Sequence, residues 1–297
     1  MKESSLFDRE SVLPDDELTT IENRLLGFDA RYSRVHDQLQ LLLAADKLSH
    51  WNQAHHGGKL KLCEMVSEQH PLAIFHGDVG TGKTATAECV ANRLIRESST
   101  EDSMLFTLGN RVRGKGLVGE MGTSLTNAFN QIGASIGKHR RAVLIIDEAD
   151  SLGTARTEGH SHHEDKVAVN TLIQCVDGLR KFKGRVLVIL CTNRLSILDP
   201  ALRRRAAIIE RFDRPDDNER LDLFKSDLEG LAHTEAQLAD LVTATGPNNE
   251  LPGYTYSDVR TRLYPAALSS VFPNQPLQMA HLVEAANQLQ PSPSLED

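Results

Sequence analysis

An eight-residue glycine-rich segment constrains this chain more than any other feature of its sequence. Residues 77–84 read GDVGTGKT, which fits the spacing G-x-x-x-x-G-K-[ST] of a phosphate-binding loop. Glycines let the backbone approach phosphate oxygens closely, and a helix that begins directly after the loop adds a second anion site. The motif therefore predicts a strand, a loop and a helix around a nucleoside triphosphate.

Each position of this loop has a predicted role. Lys83 is expected to reach the β- and γ-phosphates, and the hydroxyl of Thr84 is expected to bind Mg²⁺. Backbone N–H groups from the rest of the loop wrap the phosphate oxygens. We therefore assign nucleotide binding to Asp78, Val79, Gly80, Thr81, Gly82, Lys83, Thr84 and Ala85. The alternative is a glycine-rich turn that matches by chance, but the motif follows an apolar run and precedes a helical pattern, as a phosphate-binding loop must.

Short apolar runs that alternate with helical patterns predict the fold class. The runs lie at 72–75, Ala142–Ile146 and 186–190, with a weaker one at 105–108. Helical spacing of apolar residues covers 85–97 and 167–179 between them. Because strand and helix alternate, we predict an α/β fold with a parallel sheet flanked by helices on both faces.

The strand pattern stops after Arg214, and the rest of the chain is predicted to be helical. Helical patterns begin after Asp216 and recur at 235–245, 257–270 and 277–289. Four segments follow from this pattern. They are a flexible N-terminal arm at 1–22, a large α/β domain at 23–214, a small all-helical lid domain at 215–290 and a frayed tail at 291–297.

A further apolar run ends in carboxylates. Residues 143–150 read VLIIDEAD, and a parallel sheet places its ligands at the carboxyl ends of its strands. Asp147 is therefore expected to bind the Mg²⁺ held by Thr84, and Glu148 is the candidate general base for the attacking water. The alternative is an acidic helix start, because the helix dipole alone favours Asp and Glu in a first turn. The phosphate-binding loop upstream favours the catalytic interpretation.

Polar residues after the next strand complete the candidate site. Asn193 follows the run at 186–190, where its amide can hold the attacking water; the alternative is a turn-forming Asn. Residues 198–205 read LDPALRRR, and Arg204 and Arg205 are candidates for a guanidinium that reaches the γ-phosphate of a neighbouring copy. The alternative for these arginines is a solvated helix end, where the dipole favours cations.

Composition and charge bound the remaining possibilities. The formal net charge of −8 argues against bulk nucleic-acid binding, which normally needs a basic face. Four cysteines lie far apart without CxxC spacing, which favours buried thiols over a disulfide framework or a zinc site. No apolar run is long enough for a membrane span, and the acidic first residues lack a secretory signal. We therefore expect a cytoplasmic protein.

The order of these motifs resembles that of the AAA+ ATPases over roughly residues 25–285. The resemblance implies ATP and Mg²⁺ as cofactors and a ring of copies, usually six. It assigns the segment that contains Leu26 and Gly27 to adenine binding and Asn193 to the sensor-1 position. Arg260 is the candidate for the sensor-2 position, with a helix-surface arginine as the alternative.

Three stretches resemble the pachytene checkpoint ATPase family more closely. They are residues 147–156, residues 169–177 and Arg205-Ala206, and the last of these favours Arg205 over Arg204 as the finger. That family remodels HORMA-domain proteins, and its bacterial relatives accompany such proteins in anti-phage signalling operons. The resemblance therefore implies a HORMA-domain protein as the substrate of this chain.

Two loops differ from or extend the family pattern. The substrate-gripping pore loop, which usually carries an aromatic, an aliphatic residue and glycine, falls on Leu117, Val118 and Gly119 here, without the aromatic. Residues 158–164 contain three histidines and two glutamates, which fit either a zinc site or a polar loop that lines the pore.

Three functions are compatible with the sequence. The first is an ATP-driven ring that remodels a protein substrate. The second is an AAA+ ATPase that acts on nucleic acid as a loader or helicase-associated factor, which the basic residues at 111–115 favour and the acidic balance opposes. The third is a scaffold that binds ATP without hydrolysis, against which the intact set Lys83, Asp147, Glu148 and Asn193 argues.

Overall fold

The computed structural model describes residues 6–98, 103–109, 120–137, 140–151, 162–248 and 250–295. At 120, 151 and 162–166 it describes the backbone but not the side chains. The strands are β1 (Arg9–Leu13), β2 (Leu72–Gly77), β3 (Ser103–Leu108), β4 (Ala142–Ile146), β5 (Val186–Thr192) and β6 (Ile208–Phe212). The helices are α1 (Asp16–Glu22), α2 (Phe28–Leu43), α3 (Ala45–His56), α4 (Lys61–Ser67), α5 (Lys83–Ser98), α6 (Glu120–Ser135), α7 (His162–Gly178), α8 (Pro200–Arg205), α9 (Asp217–Asp227), α10 (Glu235–Ala244), α11 (Tyr256–Asp258), α12 (Tyr264–Val271) and α13 (Met279–Gln288).

The strands form one six-stranded sheet in the order β1-β3-β4-β5-β2-β6. Strands β3, β4, β5 and β2 pair in parallel, with Leu144 opposite Val188 and Ile74 opposite Leu190. Every residue of β4 and of β5 is buried, which explains why these strands read as continuous apolar runs. The predicted parallel sheet with flanking helices is confirmed.

The first strand corrects the predicted N-terminal arm. Residues Arg9–Leu13 pair antiparallel with β3, so that Arg9 lies opposite Thr107, and α1 follows directly. The Phe7 ring packs 4.7 Å from the Phe106 ring, centroid to centroid. The expectation of a loose arm is therefore wrong for residues 9–22. The strand escaped detection because it is a sheet edge whose first three residues are polar and only partly buried.

The chain divides into two compact units. Among the described residues, one comprises those at 6–76 and 84–211, and the other comprises those at 77–83 and 212–295. The second unit thus begins at Phe212, close to the predicted boundary at 214. It also contains the glycine-rich loop, which the sequence interpretation assigned to the α/β domain, because residues of that loop bond to Phe212 and Ser257.

The core of the first unit lies on the sheet. Side chains of Leu144 and Ile146 belong to a buried cluster that includes Leu125 of α6 and Leu172 of α7. Side chains of a strand alternate between faces, so Val143, which is also fully buried, points to the opposite side of the sheet. Helices therefore cover both faces of the central strands.

The second unit is a helical bundle, as predicted. Capping boxes begin α9, α10 and α11: Asp216 with Glu219, Thr234 with Gln237, and Thr255 with Asp258. Each box satisfies backbone N–H groups that a helix start would otherwise leave unpaired. Leu223, Phe224, Leu238, Leu241 and Leu282 form the buried interior of the bundle.

Two further features, one at the edge of the sheet and one in the second unit, correct the sequence interpretation. The edge strand β6 was not predicted, because its sequence IIERF mixes apolar and charged residues. The frayed tail is wrong for residues 291–295, since Ser292 donates its backbone N–H to Asp258 at 3.1 Å and Leu295 donates its own to Asp78 at 3.2 Å. Across the described residues, no helix has the length and apolar character needed to cross a membrane.

Candidate nucleotide site

The polar residues predicted for the site follow neighbouring strands. Asp147 comes after β4 and Asn193 after β5, and these parallel strands are adjacent in the sheet. Their carboxyl ends therefore meet at one edge, which is where ligands bind in open parallel sheets. Strand β2, which leads into the glycine-rich loop, lies on the other side of β5, and Thr84 is the second residue of α5.

The acidic pair has an uncommon backbone geometry. Glu148 has a φ angle of +49°, in the left-handed region that residues other than glycine rarely adopt. Its N–H donates to the Asp147 carboxylate at 2.9 Å, and the Asp147 N–H donates to the Leu108 carbonyl at 2.9 Å. Strain of this kind clusters at functional sites. Glu148 is exposed.

A hydrogen-bond bridge joins the turn after Glu148 to the end of β5. The hydroxyl of Thr192 donates to Asp150 at 3.2 Å and accepts the N–H of Arg194 at 3.2 Å. Thr192 is only 1% exposed. This bridge fixes the backbone on either side of half-buried Asn193, which keeps the amide at the sheet edge.

The loop itself has the conformation that a phosphate group requires. Gly80 and Gly82 have φ angles of +75° and +86°, which glycine adopts without strain. Lys83 is 6% exposed, and its ammonium group donates to the carbonyls of Gly77 at 3.0 Å and Asp78 at 2.7 Å. A cation held this deeply favours a bound anion, because burial of a charge is costly without a counter-charge. These residues fit a triphosphate.

Substitution of Gly77 by alanine should destabilise the loop severely. Its φ angle is +139°, and a Cβ atom there would lie 2.1 Å from the Phe212 carbonyl oxygen. Backbone strain and overpacking together should cost roughly 3 kcal/mol or more of unfolding free energy. Gly57→Ala is the matched control, since its φ is +59° but nothing lies within 4 Å, so the loss should be about 1–2 kcal/mol. Urea denaturation of both variants measures the difference, and equal losses would contradict the close approach.

An arginine that the sequence interpretation missed pairs with the loop. Arg214 donates its Nε–H to Asp78 at 2.6 Å, and both side chains are 12% exposed. An acidic residue inside an anion-binding loop needs a cation partner, and this requirement is the signal that could have drawn attention to Arg214.

The two candidate fingers have different surroundings. Arg205 donates Nε–H and Nη2–H to the two carboxylate oxygens of Asp177 at 2.7 and 3.0 Å, and Nη1–H to the Ala201 carbonyl at 3.2 Å. The hydrogen bond from Arg205 holds the pKa of Asp177 below its ordinary value. Arg204 is exposed on α8. The guanidinium of Arg205 is thus fixed in one orientation while 27% of its side chain remains accessible.

Comparison with known proteins identifies the family to which this chain belongs. The model of the ATPase family associated with various cellular activities (AAA) matches residues 73–214. CD-NTase-associated protein 6 of Escherichia coli strain KTE188 is 60% identical over 297 residues, which cover 100% of both chains. The chain belongs to this family of AAA ATPases.

Solved structures agree with the family. A chain of the E. coli MS115-1 HORMA:CdnC:Trip13 complex superposes on this AAA ATPase with a TM-score of 0.89 and 33% identity, and the match covers 99% of this chain and 100% of the other. The structure of Rhizobiales Trip13 gives a TM-score of 0.71 at 32% identity and covers 97% and 99% of the two chains. The expectation of an AAA+ fold close to checkpoint-type ATPases is confirmed.

The sequence interpretation also missed a second charged group, on the helix that follows the glycine-rich loop. Glu88 lies one helical turn after Thr84, and burial raises its pKa, partly offset by Arg9, whose Nη1 is 3.4 Å from the carboxylate. The hydroxyl of Thr107 lies 3.4 Å from the other carboxylate oxygen. The four-residue spacing from Thr84 was the available signal, because residues so spaced share a helix face.

The remaining predicted site residues stay predictions. Gly27, with a φ angle of +68°, precedes the first residue of α2, and Leu26 beside it is half-buried. Arg260 forms a two-bond ion pair with Asp227, at 2.8 Å for each bond, which favours the helix-surface alternative over the sensor-2 role.

Two predicted loops lie outside the described residues. They are the pore loop with Leu117, Val118 and Gly119, and the segment that ends at Ser161 and contains His160. His162 and His163 open helix α7, which shortens the predicted polar loop. Among residues with described side chains, no group of three or more His, Cys, Asp or Glu is arranged to hold a metal ion.

Proposed function

We propose that this AAA ATPase is a ring motor that remodels or disassembles a HORMA-domain protein in an anti-phage signalling system. The observation that carries the proposal is the full-length match, at a TM-score of 0.89, to a chain of the HORMA:CdnC:Trip13 complex. The buried Lys83 and the strained Glu148 support it, because a protein that only assembled on ATP would not need a strained acidic residue next to the metal ligand.

Each residue of the site has a distinct task in hydrolysis. Lys83 binds the β- and γ-phosphates, and Thr84 with Asp147 would hold the metal. Mg²⁺, when bound, neutralises phosphate charge as the terminal P–O bond breaks. Glu148 accepts a proton from the attacking water, and the Asn193 amide orients that water. Asp147 follows β4 and Asn193 follows the adjacent strand β5, which is consistent with roles in one site.

The ring is part of the proposal because one copy lacks a complete site. Arg205 would stabilise the transition-state charge on the γ-phosphate of the adjacent copy, as arginine fingers do in related enzymes. Six copies are the usual number in the family that the sequence resembles.

All four cysteines are free thiols. We therefore place the ring in the reducing cytoplasm.

Capture of the substrate tests the proposal directly. The Glu148→Gln variant, loaded with ATP, should retain a purified HORMA-domain protein from the same genome during size-exclusion chromatography. Lys83→Ala, which cannot hold the phosphates, is the control and should release it. Equal retention by both variants would count against ATP-dependent engagement. Hydrolysis stimulated by single-stranded DNA, with no effect of the HORMA-domain protein, would support the nucleic-acid alternative instead.

Substitution of Leu117 by alanine should uncouple hydrolysis from remodelling. The predicted pore loop grips the substrate through an aliphatic side chain, whose truncation removes most of its apolar contact area. We expect the number of remodelling events per ATP hydrolysed to fall about 10-fold, the size of effect that a loss of roughly 1.4 kcal/mol in substrate affinity would produce. Met65→Ala, at a side chain that is 68% exposed on α4, is the control. A parallel loss of hydrolysis and remodelling would make the loop structural.

A further inference from the structure

The second position of the phosphate-binding loop holds a negative charge. Asp78 follows Gly77 directly, in a loop whose backbone is arranged to bind a polyanion. Its carboxylate therefore repels the triphosphate unless other groups neutralise it and hold it in place. Burial would raise the pKa of Asp78, but hydrogen bonds from Arg214 and from the Leu295 N–H bring it below the ordinary value. The charge is thus present throughout the neutral pH range.

Four donors meet this carboxylate. Besides Arg214 at 2.6 Å, the Ser294 hydroxyl donates to the same oxygen, Oδ2, at 3.2 Å. The other oxygen, Oδ1, accepts the N–H groups of Leu295 at 3.2 Å and Val79 at 3.1 Å. Two of the four donors therefore come from the C-terminal segment, 216 and 217 residues away along the chain.

The same segment is fastened at its other end. Ser292 donates its N–H at 3.1 Å and its hydroxyl at 2.6 Å to Asp258, a side chain that is 2% exposed. Arg214 also takes part, because its Nη2–H donates to the Ser292 carbonyl at 2.8 Å. Next to Asp258, Ser257 donates its N–H to the Gly80 carbonyl at 3.2 Å. The segment thus links the loop to Asp258, the last residue of α11, and α11 also bonds to the loop directly through Ser257.

We propose that residues 292–295 form a tail clamp that, together with Arg214, stabilises the Asp78 carboxylate and so positions the phosphate-binding loop for nucleotide. The tail clamp acts through Asp78 and does not touch the phosphates itself. This inference rests on the proposed ATPase site. Without the tail clamp, the Asp78 carboxylate keeps two donors, Arg214 and the Val79 N–H, and turns more freely toward the phosphates. The effect belongs to nucleotide affinity, so KM for ATP should rise while kcat changes little.

A shortened chain tests the tail clamp. A variant that ends at Pro291 should bind a fluorescent ATP analogue with Mg²⁺ about 10-fold more weakly than the full chain, as measured by fluorescence titration, and its KM should rise in proportion. Leu295→Pro removes the backbone N–H donor together with the leucine side chain and should raise Kd about 3-fold. Leu295→Ala keeps that donor, so its rise should be smaller. Thermal melting of each variant separates a loss of folding from a loss of affinity.

Removal of the charge completes the test. In an Asp78→Asn background, the same shortening should change Kd less than about 2-fold. The reason is that an uncharged side chain at position 78 does not repel the phosphates, whether the tail clamp is present or not. An equal rise in both backgrounds, or no rise in either, would overturn the tail clamp. If the full-length chain itself binds no nucleotide, the proposed function fails. If it binds and the shortened chain binds equally well, only the tail clamp fails.

Discussion

Replacement of Glu148 by glutamine should lower kcat for ATP hydrolysis roughly 100-fold or more while ATP still binds. Glutamine keeps the size of the side chain but has no carboxylate to accept the proton of the attacking water. The hydrogen bond from the residue 148 N–H to Asp147 belongs to the backbone and survives the change. Phosphate release measures the rate of hydrolysis, and titration with a fluorescent nucleotide measures affinity. A variant that binds ATP normally but hydrolyses it slowly has lost the base, whereas a variant that no longer binds ATP has lost the site.

A control variant separates the loss of a catalytic carboxylate from the loss of one negative charge. Glu64→Gln removes one carboxylate from the exposed surface of α4 and should leave kcat close to that of the parent protein. Should Glu148→Gln hydrolyse ATP at an unchanged rate, another group must accept the proton, and the strained backbone at residue 148 would need a different explanation.

Removal of the Arg205 guanidinium should lower kcat by an amount comparable to, or larger than, that of the Glu148→Gln change. In rings made only of Arg205→Ala copies, kcat should fall about 1000-fold, because an arginine finger contributes this order of transition-state stabilisation. Lysine should not restore the rate, since it cannot present two N–H groups from one rigid plane. The same measurement on Arg204→Ala decides between the two candidates. A larger loss at exposed Arg204 than at Arg205 would move the finger to Arg204.

Mixed rings test whether this arginine acts between copies. Arg205→Ala copies retain an intact Glu148, and Glu148→Gln copies retain an intact Arg205. Where two such copies are neighbours in the right order, one complete site forms, so the mixture should hydrolyse ATP faster than either variant alone. Mixed rings that are confirmed by native mass spectrometry and show no gain would exclude a finger in trans.

How far the sequence predicts this fold depends on burial. Strands β4 and β5 are covered on both faces, so their sequences are continuous apolar runs that identify them without any knowledge of their neighbours. Strands β1 and β6 lie at the two edges of the sheet and carry charged residues such as Arg9 and Glu210. Their strand conformation depends on pairing with distant segments, which local pattern does not reveal.

The candidate site divides in the same way. The loop at 77–84 and the pair Asp147-Glu148 are contiguous in sequence, so motif and spacing were sufficient to predict them. The partners of the charged groups in and beside the loop are remote: Arg214 lies 136 residues from Asp78, and Arg9 lies 79 residues from Glu88. Only the folded chain brings such pairs together, which is why the sequence interpretation missed both arginines.

The antiparallel pairing of β1 with β3 bears on how this protein is handled. A version that began after Leu13 would leave one row of β3 backbone N–H and C=O groups without partners and would uncover the ring of Phe106. An open apolar rim of that kind accepts strands from other molecules, which is a common route to aggregation. Shortened versions intended for crystallisation or for substrate studies should therefore keep the chain from Phe7 onward.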